Sequence, residues 1–186
     1  VPSEYLTRGN LSAAVPRVHP KATTMTLHIA EIPAQGGTLG LCPMPGREGN
    51  YRSDLTTVLA WHPGLVLTLT SKLELASKGA ATLPHDLATA GIAWAHLPIP
   101  DFGTPDTKTT ALWPETSARA RALLAQGGKV LVHCMGGCGR SGMVALRLMV
   151  EAGEDPDVAL VRLRATRPCA VETKAQQRWA LAAFSF

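Results

Sequence analysis

The sequence predicts an α/β fold, a central and mostly parallel sheet flanked by helices in one compact domain. Short apolar runs such as Leu65-Val66-Leu67-Thr68-Leu69 alternate along the chain with helical patterns, as strands joined by crossover helices do. The length of 186 residues suits one domain with a sizeable core. An apolar run ending at Val132 passes directly into a glycine-rich loop and a further helix. Open α/β sheets place their sites beyond the carboxyl ends of such strands.

Residues 1–24 are polar with scattered prolines and read as an N-terminal arm, leaving 25–186 as the domain. Thr26–Ala30 alternates and Thr38–Cys42 is small and apolar, so both read as strands separated by a turn over Pro33–Gly37. Leu55, Val58 and Leu59 give Asp54–Trp61 a helical face, stopped by Pro63-Gly64, and Leu65–Leu69 follows as a buried strand. Ser71 and Glu74 have capping-box spacing, so a helix begins there and ends near Gly79. Another helix around Asp86–Ala90 closes at Gly91, and Ile92–Leu97 alternates as a strand leading into the loop Pro98–Asp106. Thr107–Gln126 is helical, broken or kinked at Pro114. Gly127-Gly128 opens the strand Lys129–His133, and helices are expected over Ser141–Ala152, Pro156–Arg167 with Asp155 as cap, and Thr173–Phe184.

Composition narrows the function. With 46% hydrophobic and 17% charged residues the balance is globular, and no apolar run is long enough to span a bilayer. The net charge of +4 is spread without a basic block, so neither a nucleic-acid nor a membrane partner is expected. Four cysteines, Cys42, Cys134, Cys138 and Cys169, show neither CxxC nor Cys/His ligand spacing, so neither a disulfide framework nor a zinc site is expected. The start at Val1 lacks the regions of a signal peptide, and a cytoplasmic location is the expectation. A start without Met leaves a removed targeting segment open.

Chemistry concentrates between His133 and Gly142. Small residues at Gly136, Gly137 and Gly139 let successive backbone N–H groups turn onto one anion, while the helix opening near Ser141 directs its positive end to the same place. A phosphate would fit there without a metal. The same field favours the thiolate form of Cys134, because helix N-termini and cations stabilise cysteine thiolates.

His133-Cys134 through Arg140-Ser141 resembles the signature of the cysteine-dependent protein tyrosine phosphatase superfamily in its compact dual-specificity branch. Gly40–Gly46, Pro98–Asp106, Arg164–Pro168 and Glu172–Gln176 resemble stretches of its kinase-associated and bacterial dual-specificity-like members, extending the likeness over roughly 38–180. The resemblance implies a protein phosphatase with no cofactor, acting on phosphotyrosine and also on phosphoserine or phosphothreonine. Cys134 would attack phosphorus to form a phosphocysteine. The amides of Met135, Gly136, Gly137, Cys138 and Gly139 would hold the phosphate with Arg140, whose planar fork takes two oxygens. Asp101 would protonate the leaving oxygen and then activate water. Ser141 would hydrogen-bond the sulfur, with His133 and Gln176 in support. The implied partner is a phosphoprotein, a kinase among the candidates.

Several alternatives accompany these assignments. Asp106 is a rival acid, although it also suits the cap of the following helix. Glu172 stands where the larger tyrosine phosphatases place a water-positioning glutamine, so Gln176 is balanced between that role and a solvated helix position. Arg162, Arg164 and Arg167 share no helix face, and salt bridges or solvation are expected for them. Met135–Gly139 carries no Lys or Arg, which disfavours a lipid substrate with extra phosphates. Cys138 or Cys42 could trap Cys134 as a disulfide under peroxide. A phosphoprotein-binding scaffold and a sulfur-transfer or arsenate-reducing enzyme are the competing functions.

Overall fold

The computed structural model describes residues 26–182. The arm expected over 1–24 and the last residues of the chain lie outside this range. Five strands, β1 Ala30–Ala34, β2 Gly37–Pro43, β3 Leu65–Thr68, β4 Ala93–His96 and β5 Lys129–Cys134, form one sheet in the order β1-β2-β5-β3-β4. β1 runs antiparallel to β2 and the remaining pairings are parallel, so the mostly parallel α/β sheet is observed. β5 is central, and its carboxyl end lies between those of β2 and β3.

The helices are α1 Tyr51–Trp61, α2 Lys72–Ser77, α3 Leu83–Thr89, α4 Thr107–Ala125, α5 Gly139–Glu151, α6 Pro156–Thr166 and α7 Lys174–Leu181. They cover both faces of the sheet. Leu39, Leu41, Leu65, Leu67, Val130 and Val132 face a core shared with α4 to α7, whereas Val66 and Leu131 face a second core with α1, α2 and α3. This alternation follows the period of two along each strand and explains why strands buried on both faces read as continuous apolar runs.

Two expectations are corrected. The first strand is Ala30–Ala34 and not Thr26–Ala30, with Pro33 inside it. β1 is an edge strand, where a residue without an N–H is tolerated, and Gln35 and Gly36, at φ 55° and 92°, turn it into β2. Of the break or kink expected at Pro114, the break does not occur: one helix, α4, runs through it, with Trp113, Ser117, Ala120 and Leu124 buried along one side. Burial of that side outweighs the hydrogen bond that proline cannot give. The Ser71–Glu74 capping box and the Asp155 cap form where the sequence places them.

Candidate active site

The site is assembled where β5 stops and α5 starts. Gly137 has φ +68°, and a Cβ there would lie 2.6 Å from the Pro43 nitrogen, so the sharp turn against the end of β2 requires glycine. At Gly139 a Cβ would collide with the Glu172 carboxylate, which places that exposed side chain against the start of α5. Met44 N–H donates to the Met135 carbonyl at 3.4 Å. Cys134 is buried with its Sγ 3.4 Å from the Ser141 hydroxyl.

Arg140 is the largest fully buried side chain among the described residues, with 1% exposure. Its Nη1 donates to Glu74 Oε1 and to the Ile99 carbonyl, each at 3.0 Å. Nη2 lies 3.1 Å from Asp101 Oδ1 as an ion pair, yet neither Nη2 nor Nε has a hydrogen-bond partner among the described residues. We take the contact as a Coulombic pair that leaves the donor unsatisfied, since alignment governs hydrogen-bond strength. Nε and Nη2 form one edge of the guanidinium, the edge that takes two oxygens of an anion.

The fixed edge is held by Glu74, which combines two functions. It completes the capping box, accepting from Ser71 N–H at 2.7 Å, and it aims Arg140 through its other oxygen. Partial burial pushes its carboxyl up, but the Ser71 N–H and the Arg140 guanidinium outweigh that and hold it below the usual range.

Asp101 and Asp106 separate clearly. Asp101 is 58% exposed and touches Arg140. Asp106 caps α4, accepting from Thr109 N–H at 2.7 Å, and the Thr109 N–H and hydroxyl hold its carboxyl below the usual range. A carboxylate held in that form is a poor proton donor near neutral pH.

His133 is fully buried with its Nε2 2.7 Å from the Thr68 hydroxyl, whose oxygen also accepts from Trp94 Nε1 at 2.8 Å. Burial, and then the charges of His96 and Arg140, push its imidazole down to about 3, so it is neutral. Gln176 is buried, not solvated. Its Oε1 accepts from Glu172 N–H at 3.0 Å and Thr173 N–H at 3.3 Å, while Nε2 donates to the Gly103 carbonyl at 3.3 Å, tying α7 to the loop that carries Asp101.

The cysteines and arginines depart from expectation. Cys138 is joined to Cys169 in a disulfide that the cysteine spacing did not indicate, so it is not a free partner for Cys134. Cys42 lies at the same end of the sheet, but burial and the neighbouring Cys134 push its thiol up and keep it protonated. Arg162 pairs with Glu154 as expected. Arg164 donates to the Ala170 and Val171 carbonyls and Arg167 to those of Gly137 and Gly136, so neither is merely solvated. Glu74, Arg167 and Cys169 are the site residues that sequence reasoning missed. Only the motif stretch Arg164–Pro168 hinted at one of them.

Among the described residues no group of His, Cys, Asp and Glu is arranged to hold a metal ion, and no helix is long and apolar enough to cross a membrane.

Comparison with known proteins places this geometry. The mouse (Mus musculus) cyclin-dependent kinase inhibitor 3 is 32% identical over 135 residues, covering 69% of this chain. The chain spans 63% of the length of that relative. A crystal structure of kinase associated phosphatase with a serine in place of its catalytic-site cysteine superposes with a TM-score of 0.73 at 26% identity, covering 84% of this chain and 93% of that one. The active form of Tk-PTP gives a TM-score of 0.66 at 29% identity, covering 84% and 97%. The family model described as "Polymorphic toxin system, DSP-PTPase phosphatase" matches residues 54–154, more than half of the chain. The chain belongs to this DSP-PTPase phosphatase family and is a dual-specificity phosphatase-like protein.

Proposed function

We propose that the chain is a phosphoprotein phosphatase that works through a phosphocysteine on Cys134. The observation that carries this reading is one edge of Arg140: Nε and Nη2 are buried, charged N–H donors without a hydrogen-bond partner among the described residues, Nη2 meeting Asp101 only as an ion pair. Leaving such donors unsatisfied costs about 1–3 kcal/mol each, more when charged, and an equatorial pair of phosphate oxygens would recover it.

Cys134 attacks phosphorus and the ester oxygen leaves with a proton from Asp101. Negative charge on the phosphoryl oxygens is met by the loop amides and by Arg140, held ready by Glu74. In the second step Asp101 takes the proton from water while the Ser141 hydroxyl, 3.4 Å from Sγ, stabilises the departing thiolate. His133, neutral and bonded to Thr68, supports the loop from behind. Exposure of Asp101 supports a shallow site, open to phosphotyrosine and to phosphoserine or phosphothreonine. The names of the relatives support a phosphoprotein, a kinase among the candidates, as substrate.

The test is hydrolysis of an aryl phosphate in the presence of EDTA. Turnover is expected from the unaltered chain and none from Cys134→Ser, and acid quench should trap phosphate on Cys134. Robust turnover by Cys134→Ser would refute the mechanism.

A further inference from the structure

The segment after α6 grips the phosphate loop from outside. Arg167, at the end of α6, donates from Nε to the Gly137 carbonyl and from Nη2 to the Gly136 carbonyl, both at 2.9 Å. Two residues further on, exposed Cys169 is bonded to Cys138, which is the N-cap of α5. The C=O and N–H of a trans peptide point in opposite directions. Drawing the carbonyls of Gly136 and Gly137 toward Arg167 therefore turns the N–H groups of Gly137 and Cys138 the other way, into the cradle. Met44, bonded to the Met135 carbonyl, does the same for the Gly136 N–H. The disulfide then pins the last of these peptides to the same segment.

We propose that Arg167–Cys169 is a clasp that sets the phosphate-binding shape of the loop, and that its Cys138–Cys169 disulfide makes phosphate affinity sensitive to a dithiol reductant without involving Cys134. A thiolate of the dithiol attacks one sulfur and forms a mixed disulfide. Its second thiolate displaces the protein thiol, leaving Cys138 and Cys169 as two thiols and the reductant as a cyclic disulfide, two electrons having passed to the protein. The exposure of Cys169 gives the reductant access. Arg167 remains, so reduction loosens the cradle and does not dismantle it. Arg167 and Cys169 act through the backbone of the loop and are positioning residues. The proposal rests on the phosphatase reading only in taking phosphate as the anion of the cradle.

The experiment measures binding of inorganic phosphate to the full chain carrying Cys134→Ser, by calorimetry well below the melting transition, before and after dithiothreitol. Peptide mapping establishes the state of the disulfide in each sample. Affinity is expected to fall roughly 10-fold on reduction, less than the about 100-fold that a 1 Å misplacement of reacting groups can cost. Adding Cys169→Ser should give the weaker affinity with or without reductant, and this arm does not depend on the bond being reducible. Arg167→Lys, which supplies a point charge and no fork, should weaken binding even with the disulfide intact. Equal affinity in oxidised, reduced and Cys169→Ser protein would overturn the clasp and leave the phosphatase reading standing. Absence of phosphate binding in every form would overturn both.

Discussion

Helix α5 carries two arginines in opposite conditions. Arg140, in its first turn, has one nitrogen engaged by Glu74 and Ile99 and an edge with no hydrogen-bond partner among the described residues. Arg147, two turns later, is tied into the fold: Nε pairs with Glu151 at 2.8 Å, Nη1 donates to the Trp179 carbonyl at 2.8 Å, and its guanidinium lies 4.4 Å from the centre of the Trp179 ring. Glu151 is itself bonded to Trp113 and Ser117. The same residue type on the same helix thus serves the fold in one place and waits for an anion in the other. Unsatisfied buried donors, and not burial or charge alone, distinguish a ligand-ready arginine from a structural one.

The contrast is broken most sharply at Arg140. Arg140→Lys is expected to lower kcat/KM for an aryl phosphate by about 1,000-fold, the upper range for losing a charge-stabilising donor, because lysine cannot reproduce the two-point edge. The melting temperature should fall less than the kinetics, since a lysine ammonium can still meet Glu74 and the Ile99 carbonyl, and the edge it lacks makes no hydrogen bond among the described residues of the unliganded fold. A variant that unfolds while the surviving fraction keeps normal kinetics would move Arg140 into the structural class.

Asp101→Asn comes next. An asparagine can accept a hydrogen bond but has no proton to give the leaving oxygen, and about 100-fold of kcat should be lost, the lower end for general acid catalysis because water reaches this exposed position. The loss should be smaller for a phenolic leaving group than for an alcohol, which needs the proton more. Equal losses on both substrates would transfer the acid role elsewhere.

What could be read from the sequence follows the range of the interaction involved. The strands β3 and β5, the caps at Ser71 and Asp155, and the approach of Ser141 to Cys134 come from local pattern and are found where it places them. Asp101 could be matched because its loop is itself a motif. Glu74 was legible as a capping residue and not as the partner of Arg140, because the two stand 66 positions apart in the chain and only the fold brings them together. The Cys138–Cys169 bond spans 31 residues and depends on α6 packing beside α5, a tertiary fact without a spacing signature. The first strand was misplaced because Leu27 and Ile29 do pack on the core, so the alternation reported burial correctly and hydrogen-bond pairing wrongly.

Arg147→Met tests the other side of the comparison. Methionine keeps much of the packing between the two tryptophans but leaves the Glu151 carboxylate to the longer Arg121 pair at 3.8 Å, and a destabilisation of about 2 kcal/mol is expected in chemical denaturation. Steady-state kinetics should be unchanged, because nothing in the site contacts Arg147. A kinetic effect without a loss of stability would dissolve the division between the two arginines.

His133 gives the smallest and most specific effect. Its imidazole is held neutral by burial, with His96 and Arg140 acting in the same direction, and its value falls from 6.5 to about 3 on folding. Between those limits the unfolded chain binds a proton that the native chain refuses, so stability rises with pH and is lost as pH falls below 6.5. From pH 7 to pH 5 the group should remove about 2 kcal/mol, at about 1.4 kcal/mol per unit once below its unfolded value. His133→Asn cannot titrate, so its stability should vary less with pH than that of the unaltered chain by this amount, whatever its absolute stability. Parallel pH profiles for the two proteins would mean that His133 takes up its proton in the folded state. A second cation would then stand behind the phosphate loop with Arg140, and the neutral, supporting role assigned to His133 would fall.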